Sequence, residues 1–246
     1  MGGSTLPAGI GNEDGHFEDL DFLRLHSRAL GKNGLSRSGV VGLFKPKFDF
    51  ETCDRMLSDQ ELARESLLLF ERKRRETGAF GWKDPRTCLF LPIYRRAPDI
   101  YSLIMFRPCE EVVASLLSRE RKVLEERAFP PWRRPQAWLL SGKWETRFRQ
   151  LRQGYIEAWV RYNTALLDHI EACEPERVMV HDLASFTANW GQIAGTLGQW
   201  GFQCAGHDFT ALAKQTAKRE LGEFSDHDKR RIEEISVRFS SLINGR

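Results

Sequence analysis

The sequence predicts an α/β fold, a parallel sheet flanked by helices, and three observations carry that expectation. Ile100 to Phe106 is a short, nearly unbroken apolar run, which suits a strand buried on both faces of a parallel sheet. The segment from Ala79 to Leu117 alternates a short apolar run, a helical stretch, the Ile100 run and another helical stretch, which favours parallel strands joined by right-handed crossovers. A further strand, Arg177 to Val180, follows a long amphipathic stretch at Trp144 to Cys173. The 246 residues suffice for one α/β domain with a sizeable core, so 1–246 is read as a single domain.

The elements follow in order. Met1 to Gly15 is Gly-rich and polar and reads as loop. Phe17 to Leu30 has Phe17, Leu20, Phe22, Leu23, Leu25 and Leu30 at helical spacing, with Gly31 suited to the C-cap. Glu18 then falls at the start of that helix, where a carboxylate favours the dipole without any chemistry. Lys32 to Cys53 mixes Gly, Pro and Lys with scattered aromatics and reads as an extended loop. Ser58 and Glu61 form a capping-box pattern that opens a helix to about Thr77, with Leu67 to Phe70 as its core face and Gly78 as its end.

Ala79 to Trp82 is expected to be a short buried strand. Lys83, Asp84 and Arg86 crowd three charges around Pro85, which stops it, and Thr87 to Tyr94 resumes as a short apolar helix. After the Ile100 strand, Arg107 stands at the strand end and Pro108 fits a first helical position. Glu110 and Glu111 occupy the first turn; Val112, Val113, Leu116 and Leu117 make one apolar face, which Ser115 interrupts with a hydroxyl. Ser118 to Lys143 combines arginines, aromatics and Pro130, Pro131 and Pro135, which discourage a continuous helix. Tyr155, Trp159, Tyr162, Leu166 and Ile170 mark the core face of the long helix. Helices near Trp190 to Trp200, Asp208 to Leu221 and Ser225 to Ile243 close the domain.

Composition narrows the function classes. A net charge of +3 is modest for a nucleic-acid binder, and the basic cluster Arg72 to Arg75 reads as a solvated helix face. Five cysteines without a CxxC pair argue against a zinc site, and the six histidines are dispersed. Reduced thiols in a cytoplasmic protein are the simplest reading. No signal peptide and no membrane-spanning apolar run is seen. A kinase-like reading is weak, because no GxxxxGK[ST] occurs.

Two strand ends with basic residues, Lys83/Arg86 and Arg107, suggest one anion pocket at the carboxyl edge of a sheet. For Arg86 a local turn with Asp84 is the competing explanation. WKDPR at Trp82 to Arg86, followed by a strand and RPCEEVVASL, resembles the sulfotransferases that use 3′-phosphoadenosine 5′-phosphosulfate (PAPS). NEDGHFED at Asn12 to Asp19, YIEAWVRYNTALL at Tyr155 to Leu167 and RVMVHDL at Arg177 to Leu183 extend the resemblance over most of residues 12 to 200, with His181 where an acid is usual. The resemblance implies a P-loop NTPase-like sulfotransferase fold. It implies that Arg107 and Ser115, eight residues apart, bind the 3′-phosphate of PAPS, and that Glu18 takes the acceptor's proton. One departure stands out. The family opens with a strand and a phosphosulfate-binding loop before the GHFED-like segment, and this chain starts after that place, so the first strand and loop are expected to be lacking. Ser36 to Gly39 (SRSG) imitates the loop's letters, but no apolar strand precedes it.

The implied reaction moves a sulfuryl group from PAPS to a hydroxyl or amine of a small-molecule, carbohydrate or lipid acceptor, with no metal. Charge spreads onto oxygens during in-line transfer, so the site must position both partners and offset that charge. Lys83 at its strand end would face the sulfuryl group or the acceptor, Arg86 would add positive field or only pair with Asp84, and Glu18 would be the base. Phe129, Trp132 and Trp138 are expected to form an acceptor-contacting lid, with packing against the core as the equal alternative; Lys214, Lys218 and Arg219 are further cofactor candidates beside a plain solvated face. The rival function is a catalytically inactive sulfotransferase-like protein that binds a nucleotide or a partner. Acceptor identity and oligomeric state stay open.

Overall fold

The computed structural model describes residues 18–44, 48–97, 99–127, 141–203 and 223–245. The expected lid residues Phe129, Trp132 and Trp138, the cations Lys214, Lys218 and Arg219, and the helix expected at Asp208 to Leu221 all lie outside the described residues.

The described fold is mixed α/β and mostly helical, with one small parallel sheet. Helix α1 (Leu20–Lys32) begins at Asp19, whose carboxylate accepts from the amides of Asp21 and Phe22. Its apolar face, Phe22, Leu25, Ala29 and Leu30, is buried. Helix α2 (Phe50–Leu57) starts at Asp49 and buries Cys53 and Met56; it occupies part of a stretch that composition alone marks as loop. Eight residues give only one turn-pair of pattern, and the carboxylate cap supplies what periodicity does not. Helix α3 (Gln60–Thr77) is capped by Asp59, whose Oδ1 accepts from Glu61 N at 2.8 Å. The expected Ser58 capping box is therefore corrected: Ser58 closes α2, and the carboxylate next to it takes the cap. Gly78 ends α3 at φ 71°, as expected. The buried face of α3 is Leu62, Ala63, Ser66, Phe70 and Lys73, not the block Leu67 to Phe70, because Leu68 points outward.

Residues 80–84 form no strand, which corrects the expected Ala79–Trp82 strand. Their aromatic rings stack instead: Trp82 lies 4.3 Å from Phe22 at 7°, and Phe80 packs on both Phe22 and Phe70. Helix α4 (Thr87–Tyr94) follows. Strand β1 (Ser102–Phe106) and strand β2 (Val178–Asp182) pair in parallel, with Ser102 opposite Val178 and Phe106 opposite Asp182. Between them run α5 (Cys109–Arg127) and the 32-residue α6 (Ser141–Ala172); α7 (Trp190–Gln199) and α8 (Asp226–Asn244) complete the described elements.

Two apolar clusters result. Ile104 and Phe106 of β1, Val178 and Val180 of β2, Val113 and Leu117 of α5, Tyr155 and Trp159 of α6, and Phe239 of α8 form the first. Helices α1 to α4 enclose the second, and Tyr162 of α6 packs against it. β1 is covered chiefly on its Ile104/Phe106 face, since Leu103 remains 36% exposed; burial on both faces holds for β2 rather than β1. No helix among the described residues is long and apolar enough to cross a membrane.

Candidate functional site

The stacked rings of Phe22, Phe80 and Trp82 fix the backbone just before Lys83 against α1. Asp84 is thereby carried into the interior, where its Oδ2 accepts from His26 Nδ1 at 2.7 Å. Its Oδ1 accepts from the backbone amide of Arg86 at 3.0 Å and from Arg86 Nε at 2.7 Å. His26 Nε2 accepts in turn from the Tyr94 hydroxyl at 2.8 Å. Burial holds His26 below its ordinary pKa against the pull of Asp84, so the ring is neutral, a donor at Nδ1 and an acceptor at Nε2. Burial alone would raise Asp84, but the hydrogen bonds from His26 and Arg86 and the charge of Arg86 outweigh it and hold the carboxyl below the usual range.

Arg86 spends all three guanidinium nitrogens inside the protein. Besides Asp84, Nη1 donates to Ser27 Oγ at 2.9 Å and to the Arg37 carbonyl at 3.2 Å, and Nη2 donates to Glu18 Oε2 at 2.8 Å. Arg86 is buried, and the pairing alternative describes its surroundings. Glu18 is also buried, at 6% exposure, and stands just before the α1 cap rather than in the first turn. Its second oxygen lies 3.6 Å from Lys83 Nζ, and Lys83 keeps 58% of its side chain in solvent. Glu18, Lys83 and Arg86 are thus one constellation: a buried carboxylate between a fixed guanidinium and an exposed ammonium.

The SRSG turn closes over this constellation. Gly39 has φ 79°, Tyr162 donates to its carbonyl at 2.9 Å, and Arg86 takes the Arg37 carbonyl. Ser36 and Ser38 bond each other at 2.9 Å, and Ser38 bonds the Val40 carbonyl. The turn therefore directs carbonyls at cationic and hydroxyl donors, whereas a phosphate loop directs amides at an anion. Nearby, Lys73 is buried and reaches Asp19 at 3.0 Å and Asp21 at 2.8 Å, which corrects the reading of Arg72 to Arg75 as a wholly solvated face.

The other expected site residues lie at the carboxyl ends of β1 and β2. Arg107 follows Phe106 directly; its carbonyl accepts from Trp159 Nε1 at 3.0 Å and its Nη2 lies 3.5 Å from Glu111 Oε2. α5 opens immediately after Pro108, with Glu110 and Glu111 in its first turn. Ser115 is exposed on α5, while Val113 and Leu117 are buried. Across the ladder, His181 is opposite Met105 and 6% exposed, and its buried Nε2 has no hydrogen-bond partner among the described residues. Arg107 and its neighbours pack with the first apolar cluster, and the Glu18 constellation with the second.

Sequence reasoning missed His26, Ser27, Tyr94 and the Arg37 carbonyl as partners of the KDPR segment. The one available signal was His26 on the otherwise apolar face of α1. Among the described residues no group of His, Cys, Asp and Glu is arranged to hold a metal ion. The described cysteines Cys53, Cys88, Cys109 and Cys173 are free thiols, and burial pushes Cys53, Cys88 and Cys109 up to about 12. A groove of about 460 Å³ between Arg64, Leu68 and Arg96, and a cavity of about 120 Å³ lined by Asp54, Arg161 and His169, involve none of the expected site residues. Comparison of the chain with protein-family models, with curated proteins and with solved structures finds no match.

Proposed function

We propose that this protein is a sulfotransferase of the P-loop-like, PAPS-dependent kind, moving a sulfuryl group to a hydroxyl or amine acceptor. The observation that carries the proposal is the Lys83–Glu18–Arg86 constellation: an exposed ammonium set over a buried carboxylate that a second cation already neutralises. Arg86 fixes Glu18 in place. Lys83 turns from Glu18 to the transferring sulfuryl oxygens, where an ammonium offsets developing negative charge. That movement uncovers Glu18 Oε1, which takes the acceptor's proton as the new S–O or S–N bond forms and the bond to the phosphate oxygen of PAPS breaks. Arg107 supplies charge for the 3′-phosphate at the carboxyl end of β1, and the exposed Ser115 hydroxyl adds a hydrogen bond.

A second reading has its own observation. Glu18 is buried and paired on both oxygens, as in a framework that binds a nucleotide or a partner without turnover. Transfer of ³⁵S-labelled sulfuryl from PAPS to a panel of small-molecule, carbohydrate and lipid acceptors separates the two. The proposal expects product that falls at least about a hundredfold in Lys83→Met, in the range of a lost transition-state charge contact. Absence of product across the panel, together with binding of adenosine 3′,5′-bisphosphate, supports the second reading.

A further inference from the structure

Among the described residues, His181 is the one histidine with a buried ring nitrogen that has no hydrogen-bond partner. Such an atom calls for an explanation, because leaving a buried polar group unpaired is costly. The position of His181 suggests one. It lies at the carboxyl end of β2, directly opposite Met105. Ile104, Phe106 and Val180 point into the first apolar cluster, so the pleat places Leu103, Met105 and His181 on the other face. Continuing the alternation one residue past β1 brings Arg107 to the His181 side of the ladder, diagonal to it and within reach of a long side chain. Crevices outside the carboxyl ends of parallel strands are where open α/β sheets take ligands.

We infer that His181 donates its Nε2–H to a phosphate oxygen of a ligand whose charge Arg107 neutralises, so that the phosphate is held between the two strand ends. The ligand class is a phosphate monoester or another small phosphate anion. The inference rests on the reading of Arg107 as a phosphate anchor and is independent of sulfuryl transfer. Burial without a charged partner lowers the pKa of His181, so the ring presents one N–H and no charge. His181 thus contributes direction while Arg107 contributes attraction, a division suited to fixing one oxygen of a dianion.

The test is nitrogen NMR of the histidine side chains, with His181 assigned from a His181→Gln variant, titrated with adenosine 3′,5′-bisphosphate and, separately, with inorganic pyrophosphate. The expected result is a shift of the His181 Nε2 resonance by at least one probe. The dissociation constant should rise about tenfold in His181→Phe and recover in part in His181→Gln, which keeps a donor. Bisphosphate that binds through Arg107 while His181 stays unmoved overturns the inference and leaves the proposed function standing. No bisphosphate binding, with His181 shifted by pyrophosphate, overturns the nucleotide reading and keeps the phosphate site. An unmoved His181 with both probes overturns the inference, and this arm uses the wild-type chain, so a variant that fails to fold does not blunt it.

Discussion

The two groups of expected site residues are built in opposite ways. Around Asp84 the groups close on one another: buried His26, Arg86, Glu18 and Tyr94, with half-buried Ser27, make bonds of 2.7 to 2.9 Å. At the ends of β1 and β2 the polar groups are nearer to solvent: Arg107 pairs with Glu111 at 3.5 Å, Ser115 is exposed, and His181 Nε2 has no hydrogen-bond partner among the described residues. A network that satisfies itself rigidifies a scaffold, and polar groups that the protein leaves unsatisfied are those a ligand can satisfy. On this comparison the KDPR segment is first a structural keystone that offers Lys83 to solvent, and the Arg107 edge is the part proposed to bind a ligand.

The contrast can be broken most forcefully at Asp84. Asp84→Ala leaves Arg86 and His26 without their shared carboxylate, and breaking a buried pair of this kind costs about 3–5 kcal/mol. Urea denaturation should show a loss of that size; a loss under about 1 kcal/mol would mean the network is not structural. Next comes Gly39→Ala. Gly39 has φ 79°, and an added Cβ would collide with the Tyr162 hydroxyl and Arg86, so both backbone strain and a clash oppose it. We expect about 2 kcal/mol or more of destabilisation by thermal unfolding, consistent with strain of 1–3 kcal/mol per forced residue plus overpacking.

A third effect depends on pH and sharpens the comparison from outside both regions. His169 is buried, bonds Ser102 Oγ at 2.9 Å, and is held down to about 4 by burial, with Arg95 adding to the effect. Its ordinary value is 6.5, so between roughly pH 6.5 and 4 the unfolded chain binds the proton and the folded chain does not. Stability therefore falls as pH is lowered through that window. His169→Gln should flatten this part of the curve, an effect on the order of a few kcal/mol at its limit. The smallest stability effect belongs to the exposed hydroxyl of α5: Ser115→Ala should change unfolding free energy by less than about 1 kcal/mol, the range of exposed groups.

The sequence made local structure legible where pattern and length agree. β1 followed by α5, the long α6, the strand β2, the α8 helix and the Gly78 cap all lie close to where apolar spacing and capping chemistry put them. The same reasoning failed at α2, which is too short to show a period, and at residues 80–84, where aromatic stacking with Phe22 replaces a ladder. Arg107 and Ser115 were legible as a spaced pair because their relation is local, one strand end and two helical turns. The pairing of Asp84 with His26 spans 58 residues and leaves no local signature. The burial of Arg86 follows from that pairing, so sequence reasoning could only offer it as one of two alternatives.

The central proposal is that the strand-end edge at Arg107 and His181 binds phosphate and the closed network at Asp84 does not. Calorimetric titration of the folded chain with adenosine 3′,5′-bisphosphate, repeated on Arg107→Ala, tests it directly, with thermal unfolding of both proteins run alongside. The account predicts binding to the wild type and at least a tenfold loss of affinity in Arg107→Ala, with a variant that still unfolds cooperatively without ligand, as expected when a charge-assisted contact to the ligand is removed. Equal affinity in the two proteins, or no binding to a wild-type chain shown to be folded, would contradict it.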